Sequence, residues 1–489
     1  MQEPASTKDK GGTLLSGIRK TDAGKAPQVK NREEQNVEDR QEEKFNRMTR
    51  SPVGRLIGEL AVPCIVSMLV TAVYNMADTY FVGKLGSNSA TAAVGVVFSL
   101  MAVIQAVGFF FGHGSGNYIS RKLGAQNGEE AHWMSSTGFV LSLLAGGVLC
   151  LLGEVFLTPL ADFLGATPTI LPYAKEYMRI ILIGAPWMTA SLVLNNQLRF
   201  QGSAAYGMVG IASGAVLNVI LDPVFIFVLD MGVAGAALAT VVSQFAGFCL
   251  LLWQSGRGGN LRPRFSQAKI RLFYLREIAR GGLPSLIRQG LISFAVVSLN
   301  RAARGYGDAV IAAMAVVTRV MAFGGSALIG FGQGFQPVCG FNYGAKLYHR
   351  VRQGFWFCVK WGTGFLTVMG VLGIIFAPEL IALFRNDPEV VAVGARALRI
   401  QCATFPLTGW VVFSNMTLQT IGDTGPATLL AGARQGVFFI PAVLLLPRLM
   451  ELWGVMLAQP LADVLTFAVA VPLMLRVLRQ MRLAEEAAQ

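Results

Sequence analysis

GHGSGNYISRKLGA, residues 112–125, and GQGFQPVCGFNYGA, residues 332–345, share glycine at their first, third and penultimate positions and close on alanine, 220 positions apart. Both end a long apolar run. Three weaker echoes keep nearly the same offset: Pro63 with Pro284 at the start of an apolar run, Arg179 and Pro186 with Arg399 and Pro406, and Gly232-Val233 with Gly454-Val455. Helix-packing glycines alone would be scattered without a constant offset. The chain therefore reads as two related halves.

Around these anchors the sequence is 53% hydrophobic and only 14% charged, with 55 glycines in 489 residues, a composition of polytopic membrane proteins. Runs of about 18 or more mostly apolar residues predict spans near 56–82, 90–111, 135–156, 171–194, 205–229 and 232–253. A second set falls near 278–302, 310–334, 355–376, 390–419, 427–446 and 452–475. The expected fold is an all-α polytopic membrane protein, 12 transmembrane helices in two pseudo-symmetric six-helix lobes with a central cleft. Six spans per half is an even number, so both halves enter the membrane from one side, related by an axis along the membrane normal.

The domain reading is a disordered cytoplasmic tail at 1–50, an N-terminal lobe at 51–255, a cytoplasmic linker at 256–277, a C-terminal lobe at 278–478 and a cytoplasmic tail at 479–489. The first 50 residues are polar and mixed in charge, with no short apolar core before a small-residue cleavage site, unlike a signal peptide. About 15 Lys and Arg fall in the loops after spans 2, 4, 6 and 8 and in the C-terminal tail, Arg199 among them, against about 5 in the opposite loops. Both termini are therefore expected in the cytoplasm. The net charge of +13 is accounted for by loops facing anionic headgroups, leaving membrane lipids and not nucleic acid as the partner. Six cysteines without paired spacing fit small buried residues better than a disulfide framework or metal site.

Ionisable residues inside a bilayer are functional candidates by default. Asp78 lies in span 1, in TAVYNMADTYFVG, and Asp222 in span 5, in GAVLNVILDPVF, with Asn218 one turn before it on the same helix face. Thr240 lies in span 6. At 1.5 Å per residue all three spans place these oxygens about 10 to 12 Å below the outer helix ends. Two carboxylates at one depth cannot both stay charged cheaply, so the set is expected to carry a proton or share a cation. Asp, Asp, Asn and Thr form a hard-oxygen set suited to Na⁺. Each carboxylate could instead merely satisfy neighbouring hydroxyls and fix packing. The second half has Leu299-Asn300 and Ile440-Pro441 at the aligned positions, and its one deep carboxylate is Asp463. Asp463, Arg288, Arg319 and Gln336 are candidates for a substrate cleft or interlobe coupling, and Arg434 is a further basic residue near a span.

The chain resembles the multidrug and toxic compound extrusion (MATE) family, in its prokaryotic, MepA-like branch. The resemblance covers about residues 50–480 and rests on the proline of span 1 followed by YNMADTYFVG, NNQLRFQG at 195–202, Asn218 to Pro223, GVAGAALAT and GQGFQPVCGFNYGA. It implies export of cationic amphipathic drugs by alternating access, coupled to H⁺ or Na⁺, with no other cofactor, in the bacterial plasma membrane. It also implies a cation site at Asp78, Asn218, Asp222 and Thr240, with Tyr74 beside it. Acidic coupling residues known from other branches in spans 7 and 10 are missing here.

A flippase for a lipid-linked precursor remains the alternative, since Arg288, Arg319 and Arg434 could meet a pyrophosphate. An enzyme is disfavoured, because His113, His132 and His349 lie near loop ends, away from the Asp pair. A channel would want a ring of repeated charges or carbonyls. Nothing requires an oligomer, and a monomer is expected.

Overall fold

The structure, a computed structural model, describes residues 39–84 and 88–487. Helix α1 spans 39–50. The first lobe follows as α2 (Val53–Gly83), α3 (Asn88–Gly124), α4 (Gly128–Val155), the short α5 (Leu157–Phe163), α6 (Leu171–Phe200), α7 (Ala204–Pro223) and α8 (Gly232–Gln254). The second comprises α9 (Leu272–Ala303), α10 (Asp308–Gly344), α11 (Tyr348–Ile375), the short α12 (Ala377–Phe384), α13 (Pro388–Ile421), α14 (Thr424–Gly432), α15 (Phe439–Met450) and α16 (Leu452–Glu486). Twelve of the resulting segments are long and apolar enough to cross a membrane, α14 and α15 together forming one. They coincide with the twelve expected spans.

The repeat is written into the backbone. Among the described residues four non-glycine residues have positive φ, and they form two pairs: Gln126 and Lys346 at 55° and 59°, Asp230 and Glu451 both at 52°. The first pair closes α3 and α10 through matching turns, in which Asn127 N reaches Lys122 O at 2.9 Å and Leu347 N reaches Asn342 O at 2.8 Å. Such 6→1 bonds satisfy the last carbonyls of a helix. The chain then restarts differently in the two halves. Asn127 Oδ1 accepts from Glu130 N at 3.1 Å at the start of α4, whereas Leu347 at the start of α11 makes no side-chain cap.

The halves also differ in two helix interruptions. Pro223 lacks the N–H that would continue α7, and a π-helical turn follows at Val224–Val228. In the second half the π turn comes earlier, at Ala433–Val437 between α14 and α15. A polar residue of interest sits at each, the buried Asp222 just before the first and the half-buried Arg434 within the second.

The lobes meet near the face that bears both termini. There α3 lies on α9 and α2 on α10, close enough that a Cβ on Gly282 would run into the Phe110 carbonyl and one on Gly334 would sit 2.5 Å from Ala61 Cα. Glycine permits this approach of backbones, as in other membrane helix pairs. Arg121 of α3 donates to Thr420 O at 2.7 Å and pairs with Glu277 at 3.5 Å across the same seam. Towards the other face α2 leans on α7 and α8, and α9 on α14 and α15, each within its own lobe. The cleft therefore opens away from the termini.

Two expectations about chain ends are corrected. Residues 39–50, read as part of a disordered tail, form a helix because Met48 is buried in the core and Lys44 Nζ donates to Ser203 Oγ at 3.0 Å and Asn260 Oδ1 at 2.7 Å. Residues 479–486, read as a tail, continue α16, where Glu485 pairs with Arg352 at 2.7 Å. Residues 1–38 and 488–489 lie outside the described residues.

Candidate coupling site and cleft

Asp78 reaches the interior of the first lobe from α2, one turn after Tyr74. It is 5% exposed, and Asp222 and Asn218 on α7 are 0% and 1% exposed. Asn218 Nδ2 donates to Asp222 Oδ1 at 3.3 Å and to Thr240 Oγ1 of α8 at 3.4 Å. The Tyr74 hydroxyl faces Thr240 and Gln244, and Asp78 lies close enough to Asp222 for the two carboxylates to interact. All five residues singled out in the sequence thus converge between α2, α7 and α8.

Three buried oxygens here, Asp78 Oδ1, Asn218 Oδ1 and Asp222 Oδ2, have no donor among the described residues. Buried polar atoms are rarely left so. A dehydrated Na⁺ or a proton shared by the carboxylates would satisfy them, so the donor set fits the coupling ions that the sequence suggested. A cavity of about 90 Å³ between Tyr74, Gln105, Asn218, Thr240 and Gln244 adjoins the set, enough for several waters.

Two neighbours escaped the sequence reading. Gln244 lies one turn after Thr240, the same spacing that linked Asn218 to Asp222, and that spacing could have revealed it. Tyr177 of α6 is fully buried against Thr240 and close to Asp78; nothing in its local sequence sets it apart from a packing tyrosine.

The second lobe has a different polar centre. Asp463 of α16, 2% exposed, accepts from Arg434 Nε at 2.7 Å and from Gln459 Nε2 at 2.9 Å. It is a paired carboxylate inside the lobe and not a free group facing the cleft. Gln336, a cleft candidate, is 1% exposed and lies on α10 two residues past Gly334, within the closed seam beneath the cleft; close α2–α10 packing put it there. Arg288 of α9 is half-buried and Arg319 of α10 exposed. Both lie on the helix faces that form the seam lower down, Arg288 one turn beyond Ser285.

Arg199 is a further correction. Counted with the loop after span 4, it is instead 3% exposed in the last turn of α6. Its Nη2 donates to Asn196 Oδ1 at 2.6 Å and lies 3.2 Å from His113 Nε2. A guanidinium only donates, so Nε2 accepts and the imidazole proton sits on Nδ1, which donates to Ser285 Oγ at 3.1 Å in the other lobe. Ser285 is held in turn by Gln419 at 2.8 Å.

Comparison with known proteins follows the same two-part division. The family model MatE matches residues 63–224 and 284–444. Multidrug export protein MepA of Staphylococcus haemolyticus (strain JCSC1435) is 27% identical over 414 residues, 84% of this chain and 91% of that protein. The protein of the same name from Staphylococcus aureus (strain NCTC 8325 / PS 47) is 26% identical over 431 residues, covering 88% and 95%. Among solved structures, a MATE in the bent conformation superposes with a TM-score of 0.85 at 24% identity, over 91% of this chain and 99% of that one. The outward-facing conformation of a multidrug resistance MATE family transporter of the MOP superfamily gives 0.83 at 24% identity, over 89% and 98%.

Proposed function

Because the chain belongs to the MatE family of multidrug and toxic compound extrusion transporters, we propose that it drives drug export by antiport of H⁺ or Na⁺ at Asp78, Asn218, Asp222 and Thr240. It is a multi-pass membrane transporter and not an enzyme. The observation that carries the coupling proposal is the set of three unsatisfied buried oxygens between α2, α7 and α8. A proton or Na⁺ entering from the open side removes one negative charge from the carboxylate pair and the repulsion between them, and the occupied site draws α2 inward at Tyr74 and Asp78. Pro63, inside α2, interrupts the helix ladder and lets its outer half move independently. Bending of α2 narrows the cleft and releases the cargo. Each charge moved through 100 mV contributes about 2.3 kcal/mol.

On this reading the cargo is cationic and amphipathic drugs, and the protein acts as a monomer among membrane lipids. The face bearing the termini is cytoplasmic in a bacterial plasma membrane. The test is ethidium efflux from preloaded right-side-out vesicles under separately imposed H⁺ and Na⁺ gradients. Efflux driven by one gradient and lost in Asp78→Asn and Asp222→Asn supports the proposal; efflux unchanged in both variants refutes the coupling site.

A further inference from the structure

The floor of the cleft carries positive charge that no carboxylate among the described residues pairs with. Arg199 is almost fully buried, its Nε has no partner, and its other bonds go to neutral groups, Asn196 and His113. Arg288 stands close enough for the two guanidiniums to repel one another, and among the described residues neither lies within 4 Å of a carboxylate, whereas Arg434 has Asp463. Asp78 and Asp222 are too remote to compensate. Tyr177, beside that pair, and Arg199 both lie on α6, separated by 22 residues or about 33 Å of helix. Unpaired charge at membrane depth is costly and is retained where something else supplies the counter-charge.

The position says what that something is. Gly282 and Ser285 touch α3 in the seam, through Phe110 and His113, and Arg288 is the next residue on this face towards the open side. It is half-buried as a residue and lies on the cleft side of that seam. Phe109, stacked on His113 at 5.3 Å between centroids, places an aromatic surface beside the same floor. An arginine fork beside an aromatic wall suits a planar ring system bearing a carboxylate or phosphate.

We propose that the cleft floor is a receptor for an acidic group, carboxylate or phosphate, carried by the amphipathic cargo, with Arg288 making the contact and Arg199 adding charge from beneath. The proposal rests on the export reading above and specifies its substrate class: zwitterionic aromatic compounds are held in preference to pure cations of the same shape.

Tetramethylrhodamine and its ethyl ester share one cationic ring system and differ in a free carboxylate. Their binding to the full chain in phosphatidylcholine nanodiscs, read by fluorescence anisotropy, isolates the acidic group. The free acid should bind about tenfold tighter than the ester. Arg288→Gln should bring the ratio near one, while Arg288→Lys, which keeps a point charge, retains part of it; the elution profile of each variant reports folding. Adding phosphatidylglycerol separates two sources of the acid. Competition with the free acid in the native chain but not in Arg288→Gln identifies a lipid headgroup as occupant, and absence of competition identifies the cargo. A native ratio of one, a preference for the ester, or a ratio indifferent to Arg288→Gln overturns the proposal. If ethidium efflux coupled through Asp222 persists in that case, the export reading stands and only the acidic-group receptor falls; if efflux fails too, both fall.

Discussion

Arg434 Nε lies 2.7 Å from Asp463 Oδ1, and the pair ties the π turn between α14 and α15 to α16. Asp463 is 2% exposed while the Arg434 side chain is 30% exposed. Removing the cation leaves an uncompensated carboxylate in the lobe interior. Arg434→Ala is expected to destabilise the protein by about 3 kcal/mol, read as a lowered melting temperature in detergent. The double substitution Arg434→Met with Asp463→Leu should recover most of that loss. Equal loss in single and double variants would rule out the ion pair as the cause.

In the first lobe the carboxylates are not paired with a base, and their substitution should affect transport before stability. Asp78→Asn and Asp222→Asn should each bring gradient-driven efflux to background while melting within a few degrees of the native chain. Asn218→Ala, which removes one oxygen and the bridge to Thr240, should cost about tenfold in efflux, about one hydrogen bond's worth of coupling. A Na⁺-coupled site would show this as a raised Na⁺ requirement.

Docking of α1 should depend on pH. Burial, and secondarily the nearby Arg47, lower the Lys44 amine to about 7, against about 10.4 when the helix is detached and solvated. Between these values the detached state binds more protons, so docking strengthens as pH rises from about 7 to about 10 and is weakest below 7. Hydrogen exchange across residues 39–50, corrected for the intrinsic pH dependence of exchange, should slow over that window. Lys44→Met should abolish the trend.

The seam where α2 meets α10 tolerates no side chain at Gly334, whose added Cβ would lie 2.5 Å from Ala61 Cα. Gly334→Val should wedge the lobes apart at the face bearing the termini. Cys64 and Cys339, 4% and 0% exposed, then become reactive to a membrane-permeant maleimide. Unchanged protection of both thiols would show that the seam can absorb the larger residue elsewhere.

The sequence carried the span count, the two halves and the convergence of Asp78 with Asn218, Asp222 and Thr240, because apolar length, a constant offset and helical spacing are local or periodic signals. What it did not carry depends on contacts between distant segments. Arg199 looks like a loop arginine until α3 and α9 close over it. Gln336 looks like a cleft residue until Gly334 brings α2 against α10. The docked α1 is polar by composition and owes its order to Ser203, Asn260 and the pocket that takes Met48.

The matched turns at Gln126 and Lys346, and at Asp230 and Glu451, have a topological consequence. Spacing between the halves is kept almost residue for residue, and both ends of the chain emerge on the face that also holds the 255–271 connection. Where the polypeptide begins is therefore incidental to its threading. A chain opened within that connection and joined from its old end to its old start would cross the membrane the same number of times and in the same sense, with the coupling lobe synthesised last.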